Sequence, residues 1–189
     1  MIEKTAKSIF NLPNIITMAR ILAVPFLLWS LFAIGDKSSG WRWLSVIIFI
    51  VIMASDGIDG AIARKRGLVT NLGKLLDPIA DKALLGGALV ALSILGEVQW
   101  TFTVLVLIRE LGITAYRMVV IKKRVVAASA GGKWKTTFQG VMVGMVISPL
   151  TEWLGPWFGI LESLIVFTAL YLTIHTGVQY LVAAAKARD

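Results

Sequence analysis

Apolar runs long enough to thread a bilayer recur along this chain, at roughly 14–32, 41–64, 75–95, 101–121, 137–150 and 158–184. A helix crosses a hydrocarbon core with about 20 apolar residues, so the runs point to an all-α polytopic membrane protein with six transmembrane helices. Composition agrees: 57% apolar residues and a mean hydropathy of +0.80 exceed what an ordinary soluble globule carries. The length of 189 residues reads as one membrane domain, 1–189. Its first 13 residues set Ile2, Ile9, Phe10 and Leu12 among Lys4 and Lys7. That pattern suits a short N-terminal interfacial helix or a frayed tail. GDKSSGWRW (35–43), GEVQW (96–100), the basic KKRVVAASAGGKWKT (122–136) and TEWLGPW (151–157) read as connections. Most tryptophans flank the spans, as interfacial anchors do.

A net charge of +8 invites a nucleic-acid partner. The basic residues form no single stripe, however; they flank the apolar runs on alternate sides, so no nucleic acid is expected. Six spans bring both termini to one side. That side collects Arg64, Lys65, Arg66, Lys122, Lys123, Arg124, Lys133 and Lys135 among others, against Lys37 and Arg42 on the other. The positive-inside rule then turns both termini towards the cytoplasm, in a cell (inner or plasma) membrane. Glu97 and Glu152 fall on the opposite face and are expected to be solvated, Glu162 to cap or snorkel, and the lone His175 to be packed. With no cysteine, disulfide and thiolate chemistry are excluded.

Four of the six aspartates lie in DGIDGAIARKRGLVTNLGKLLDPIAD, residues 56–81. Asp56 and Asp59 stand at i, i+3 and Asp77 and Asp81 at i, i+4, so each pair shares a helix face. KRGLVTNLG (65–73) reads as the turn between two antiparallel helices, which lets the pairs face each other at similar depth. Converging carboxylates repel, and two hard divalent cations such as Mg²⁺ would cancel their charge. The other reading pairs the acids with Lys82 or Arg64 as glue between helices. Gly57, Gly60, Ala61 and Ala63 leave room for a bulky group to approach, or for a close-packed neighbouring helix. Arg64 is placed to fork onto a phosphate. Metal ions beside an arginine suit phosphoryl transfer, with one carboxylate taking the proton of the attacking hydroxyl. Asp81 is the first choice for that base. Asn14, Thr17 and Arg20 form a polar strip on the first span, which capping and a snorkelling arginine would also explain.

Asp56-x-x-Asp59-Gly60-x-x-Ala63-Arg64, then eight residues, then Gly73-x-x-x-Asp77-x-x-x-Asp81, resembles the signature of the CDP-alcohol phosphotransferases at every fixed position. The resemblance implies a six-span integral membrane enzyme, a homodimer in the lipid bilayer, that replaces the CMP of a CDP-linked lipid with an acceptor hydroxyl. It implies two Mg²⁺ or Mn²⁺ ions held by Asp56, Asp59, Asp77 and Asp81, with Asp81 as base. It also implies that Gly60, Ala63 and Arg64 hold the cytidine diphosphate, helped by Thr70 and by the strip Asn14, Thr17 and Arg20.

The acceptor is read from the second half of the chain. Arg109, Ile113 and Tyr116/Arg117 share a helix face, and GKWKT adds Lys133 and Lys135 on the same membrane side. Such a cluster opposite the aspartates suits an acceptor that bears a phosphate, or anionic headgroups. IRELGITAYR and GGKWKTTFQ resemble segments of family members whose acceptor is sn-glycerol 3-phosphate. That implies phosphatidyl transfer from CDP-diacylglycerol to sn-glycerol 3-phosphate, with Arg109, Arg117, Lys133 and Lys135 on the acceptor phosphate. A sister enzyme using inositol phosphate or serine is the alternative. More remote are an intramembrane prenyltransferase and an ion or metal transporter; a transporter would show acids on several helices and inverted repeats.

Overall fold

The computed structural model describes residues 11–65, 70–120 and 130–186. Every regular element among them is helical: α1 (Leu12–Ile34), α2 (Arg42–Lys65), α3 (Asn71–Ile94), α4 (Trp100–Val120), α5 (Ala130–Ile147), the single-turn α6 (Leu150–Leu154) and α7 (Pro156–Lys186). Two stretches among the described residues, Leu12–Ile34 and Pro156–Val182, are long and apolar enough by length and composition to cross a membrane. Apart from residues 11–13, the expected interfacial segment lies outside the described residues, as do residues 66–69 of the turn.

Helix ends follow local chemistry. Asn11 caps α1 by accepting the Asn14 N–H at 3.0 Å, and Pro13, which has no N–H to lose, fits the first turn. Gly35 ends α1 at φ 61°, a left-handed conformation that glycine adopts without a Cβ penalty. Thr70 caps α3 by accepting the Gly73 N–H at 3.0 Å, so the helix starts at Asn71, ahead of the expected Leu75. α5 begins at Ala130 despite two following glycines, which makes the Gly132–Thr136 stretch helix rather than linker.

α1 lies against α2 and α3, α5 against α7, and α3 joins the two sets through α4 and α5. The core is built from Leu27 and Leu31 of α1, Phe49 of α2, Ala88, Leu89 and Leu92 of α3, and Met142, Val143 and Ile147 of α5. Among the described residues α7 gives that core one fully buried residue, Ala169, packs Ile165, Val166 and Leu170 against it, and turns Leu164, Phe167, Tyr171 and Val178 outwards. His175 stacks on Tyr171 with ring centroids 5.5 Å apart.

One end of the bundle corrects an expectation. Glu97 is not a solvated acid; its partner is the fully buried Arg42. Arg42 Nη2 lies 2.6 Å from both Glu97 carboxylate oxygens, while Nε and Nη1 donate to the carbonyls of Ile147 at 3.2 Å and Gly35 at 3.3 Å. Glu162 lies in the second turn of α7 and is not its cap. It takes Lys37 Nζ at 3.3 Å and the Thr151 hydroxyl at 2.5 Å. Hydroxyl pairs tie the helices beside these ions, Ser30 to Ser45 at 2.9 Å and Ser93 to Thr103 at 2.7 Å.

Candidate active site

The acids gather at the opposite end, where the start of α1, the end of α2 and the start of α3 meet. The polar strip of α1 forms the back wall. Asn14, Thr17 and Arg20 fall on one helix face, and each is at most 3% exposed. Arg20 Nη1 donates to Asp56 Oδ1 at 2.6 Å and its Nε to Ser55 Oγ at 3.2 Å. The Thr17 hydroxyl lies 3.0 Å from Asp77 Oδ1 and 3.1 Å from the Pro13 carbonyl. Thr70 Oγ1 donates to Asn14 Oδ1 at 3.0 Å. Gly73 packs closely here: a Cβ at that position would meet Asn14 Oδ1 at 2.8 Å, so the Asn14 amide would have to shift. The strip therefore orients one acid on α2 and one on α3, a role that capping alone would not demand.

Asp81 stands apart. It sits one turn beyond Asp77, is half-buried, and makes no hydrogen bond or ion pair among the described residues. Its charged neighbours are Lys82, Asp56, Glu110 and Lys135. With Lys82, Glu110, Lys135 and Gln139 it lines a cavity of about 20 Å³ between α3, α4 and α5. Lys135 Nζ is bonded to Glu110 Oε1, and Arg109 Nη1 reaches that same oxygen at 2.8 Å. Arg109 is then drawn towards α7, donating from Nη2 to Thr176 Oγ1 at 3.0 Å. Of the four cations expected at an acceptor phosphate, Lys135 lines the cavity of Asp81 and Arg109 reaches it only through Glu110. The side chains of Arg117 and Lys133 lie outside the described residues, as do those of Asp59, Ala63 and Arg64 and the surroundings of Gly60.

A second space lies on the other side of Asp56. An apolar groove of about 540 Å³ runs between α2 and α5, from Trp43 past Phe49 and Met53 to Gly57. Gly140 and Gly144 of α5 keep its floor low beside Met53 and Phe49.

Asp56, Asp77 and Asp81 offer only hard oxygen donors, which suits Mg²⁺ or Mn²⁺ and not a softer metal. Among the described residues no three acidic or histidine side chains already form a cage. The donor chemistry fits nonetheless: Asp56 is half-exposed, Asp77 is exposed, and Asp81 has no bonded partner. Two participants escaped the sequence reading, Ser55 and Gln139. Gln139 could have been found at i+4 from Lys135, on the same helix face.

The family model for CDP-alcohol phosphatidyltransferase matches residues 10–178. A probable phosphatidylglycerophosphate synthase of Mycobacterium tuberculosis (strain H37Rv) is 42% identical over 178 residues, covering 94% of this chain and 83% of the relative. The CDP-diacylglycerol–glycerol-3-phosphate 3-phosphatidyltransferase of Bacillus subtilis (strain 168) is 34% identical, covering 90% and 93%. The protein of the same name from Rickettsia bellii is 33% identical, covering 93% and 96%.

Proposed function

The chain belongs to the CDP-alcohol phosphatidyltransferase family, and we propose from this that it transfers a phosphatidyl group from CDP-diacylglycerol to sn-glycerol 3-phosphate. The products are phosphatidylglycerophosphate and CMP, a step of phospholipid biosynthesis. The names of these relatives favour glycerol 3-phosphate over inositol phosphate or serine. The observation that carries the reading is Asp81, a half-buried carboxylate with no bonded partner, beside two aspartates that are each held by α1.

The acceptor's primary hydroxyl attacks the phosphorus on the diacylglycerol side. A new P–O bond forms, the bond to the bridging oxygen breaks, and CMP departs with the electron pair. Asp81 takes the hydroxyl proton; its oxygens are spent on no other donor. Arg20 and Thr17 hold Asp56 and Asp77 so that these acids need not reorganise during reaction. Two ions of Mg²⁺ or Mn²⁺, held by Asp56, Asp59, Asp77 and Asp81, would neutralise the pyrophosphate and the leaving group. Asn14, Thr17, Arg20, Gly60, Ala63, Arg64 and Thr70 hold the cytidine diphosphate. Lys135 exchanges Glu110 for the acceptor phosphate, with Arg109, Arg117 and Lys133 adding positive charge. The apolar groove ending at Gly57 seats acyl chains beside Asp56.

The protein is a membrane protein. The finer topology we propose is six spans, α1 to α5 and α7, with both termini and the aspartates on the cytoplasmic side and two copies forming a homodimer. Exposed apolar side chains support lipid contact, among them Leu22, Trp29, Ile108 and Phe167.

The test is CMP release by detergent-solubilised protein given CDP-diacylglycerol, Mg²⁺ and each acceptor in turn. Release is expected with glycerol 3-phosphate and not with inositol phosphate or serine. Release that is equal with and without any acceptor, or none at all, would overturn the reading.

A further inference from the structure

We propose that Gln139 is a specificity-determining residue. Its amide oxygen accepts a hydrogen bond from the acceptor hydroxyl that neighbours the attacking one, an inference that rests on the transferase reading above. Gln139 is 1% exposed, and its Oε1 has no hydrogen-bond partner. The identity of that orphan atom follows from the network. Thr173 donates its only hydroxyl hydrogen to the Ala169 carbonyl at 2.6 Å, so its oxygen is left to accept. Gln139 Nε2 fills that role at 2.8 Å, which turns the amide nitrogen to α7 and leaves Oε1 on the other side.

A buried carbonyl oxygen is rarely left without a donor. The nearest cation on α5, Lys135, has already given its Nζ to Glu110. Gln139 is one of the residues lining the cavity of about 20 Å³, with Asp81, Lys82, Glu110 and Lys135, and the donor enters there. That space takes one hydroxyl or one water, and the acceptor phosphate on Lys135 sits outside it. Asp81, on the same cavity, receives the proton of the attacking hydroxyl, so the next atom group of the acceptor reaches into this space. In glycerol 3-phosphate that group is the 2-hydroxyl, between the attacking carbon and the phosphate-bearing carbon. A hydroxyl there donates to Oε1; a methylene leaves it orphaned.

The experiment compares sn-glycerol 3-phosphate with 3-hydroxypropyl phosphate, which lacks only the middle hydroxyl, as acceptors for the full chain in detergent. The wild type is expected to favour glycerol 3-phosphate in kcat/KM by about 10- to 100-fold, the worth of one buried hydrogen bond. Gln139→Met, which keeps the volume and removes the acceptor oxygen, should bring that ratio to within about threefold of unity. Thr173→Val frees the amide to rotate and should lower the ratio part of the way. Should Gln139→Met fail to fold, the wild-type ratio and the Thr173→Val ratio decide the matter. A wild-type ratio near unity means that a water serves Oε1, and it overturns the proposal while leaving the transferase reading intact. An unchanged ratio in Gln139→Met, with both acceptors slowed equally, assigns Gln139 to packing and also overturns it. If the wild type uses neither acceptor, the transferase reading falls and this proposal with it.

Discussion

At the end of the bundle that holds the connection between α1 and α2, Glu97 meets Arg42 and Glu162 meets Lys37. At the other end Asp56 has Arg20 and Glu110 has Lys135, yet Asp77 receives only a neutral hydroxyl and Asp81 has no bonded partner among the described residues. One end is closed electrostatically by the chain itself. The other leaves the carboxylates of Asp77 and Asp81, exposed and half-buried, with no cation bonded to them among the described residues. A carboxylate taken out of water without a partner is costly, and such a group marks a candidate functional site. The contrast separates a staple from a site, although both are built of the same residue types.

The sharpest way to break this contrast is Asp81→Asn. It should lower CMP release by about 10²- to 10⁴-fold, the range of a lost general base. Thermal stability should be unchanged or higher, since a half-buried charge with no bonded partner is removed. A stability loss comparable to that of a staple residue would erase the distinction between the ends.

Arg42→Met tests the opposite end. Removing one member of a buried pair costs about 3–5 kcal/mol, and thermal unfolding in detergent would register it. Arg42→Met/Glu97→Leu should regain most of that loss, because no buried charge is left without a partner. Both variants should keep wild-type turnover per folded molecule. Burial pushes the Glu97 carboxyl up from its ordinary 4.5, against the pull of Arg42. A raised folded pKa means that the folded state binds the proton more tightly than the unfolded chain. Its stabilising contribution is complete below pH 4.5 and is lost as pH rises through the folded value. Without Arg42 to oppose burial, acidification from neutrality should recover part of the stability of the single variant. A melting temperature that falls on mild acidification would contradict this.

Thr17→Val should have a smaller effect. It removes one hydrogen bond to Asp77, worth about 1 kcal/mol, and should reduce kcat/KM for the nucleotide lipid roughly 3- to 10-fold. An unchanged value would show that Asp77 needs no orienting partner. Ser38→Ala should have the least effect of all. Ser38 holds the exposed Asp36 carboxyl below its ordinary 3.8 through hydroxyl and backbone N–H bonds. That contribution is present above pH 3.8 and is lost as pH falls through the depressed value. In the variant the Asp36 titration followed by NMR should move up towards 3.8, with the melting temperature at neutral pH nearly unchanged.

Much of the fold was legible because hydropathy and helical spacing are properties of neighbouring residues. The six long helices appear within a few residues of the apolar runs, and the extensions at Asn71 and Ala130 come from capping and from helix tolerated through glycine. Asp56 with Asp59 and Asp77 with Asp81 were readable as pairs because a single helix fixes the angle between its own residues. The strip Asn14, Thr17 and Arg20 was readable for the same reason.

Which helices these faces meet was decided only in three dimensions. Nothing near Arg42 in the chain announces Glu97, 55 positions later, as its partner. Arg109 was readable as a candidate phosphate ligand, and only the packing brings Glu110 and Thr176 of α7 onto it. Gln139 shares a helix face with Lys135, but only Thr173 fixes its amide and leaves one oxygen over. The chain by itself determined the helices, their polar faces and the clustered acids, because those depend on local spacing. Packing between helices decided which charges are spent on each other and which are kept, because that depends on distances no local pattern encodes.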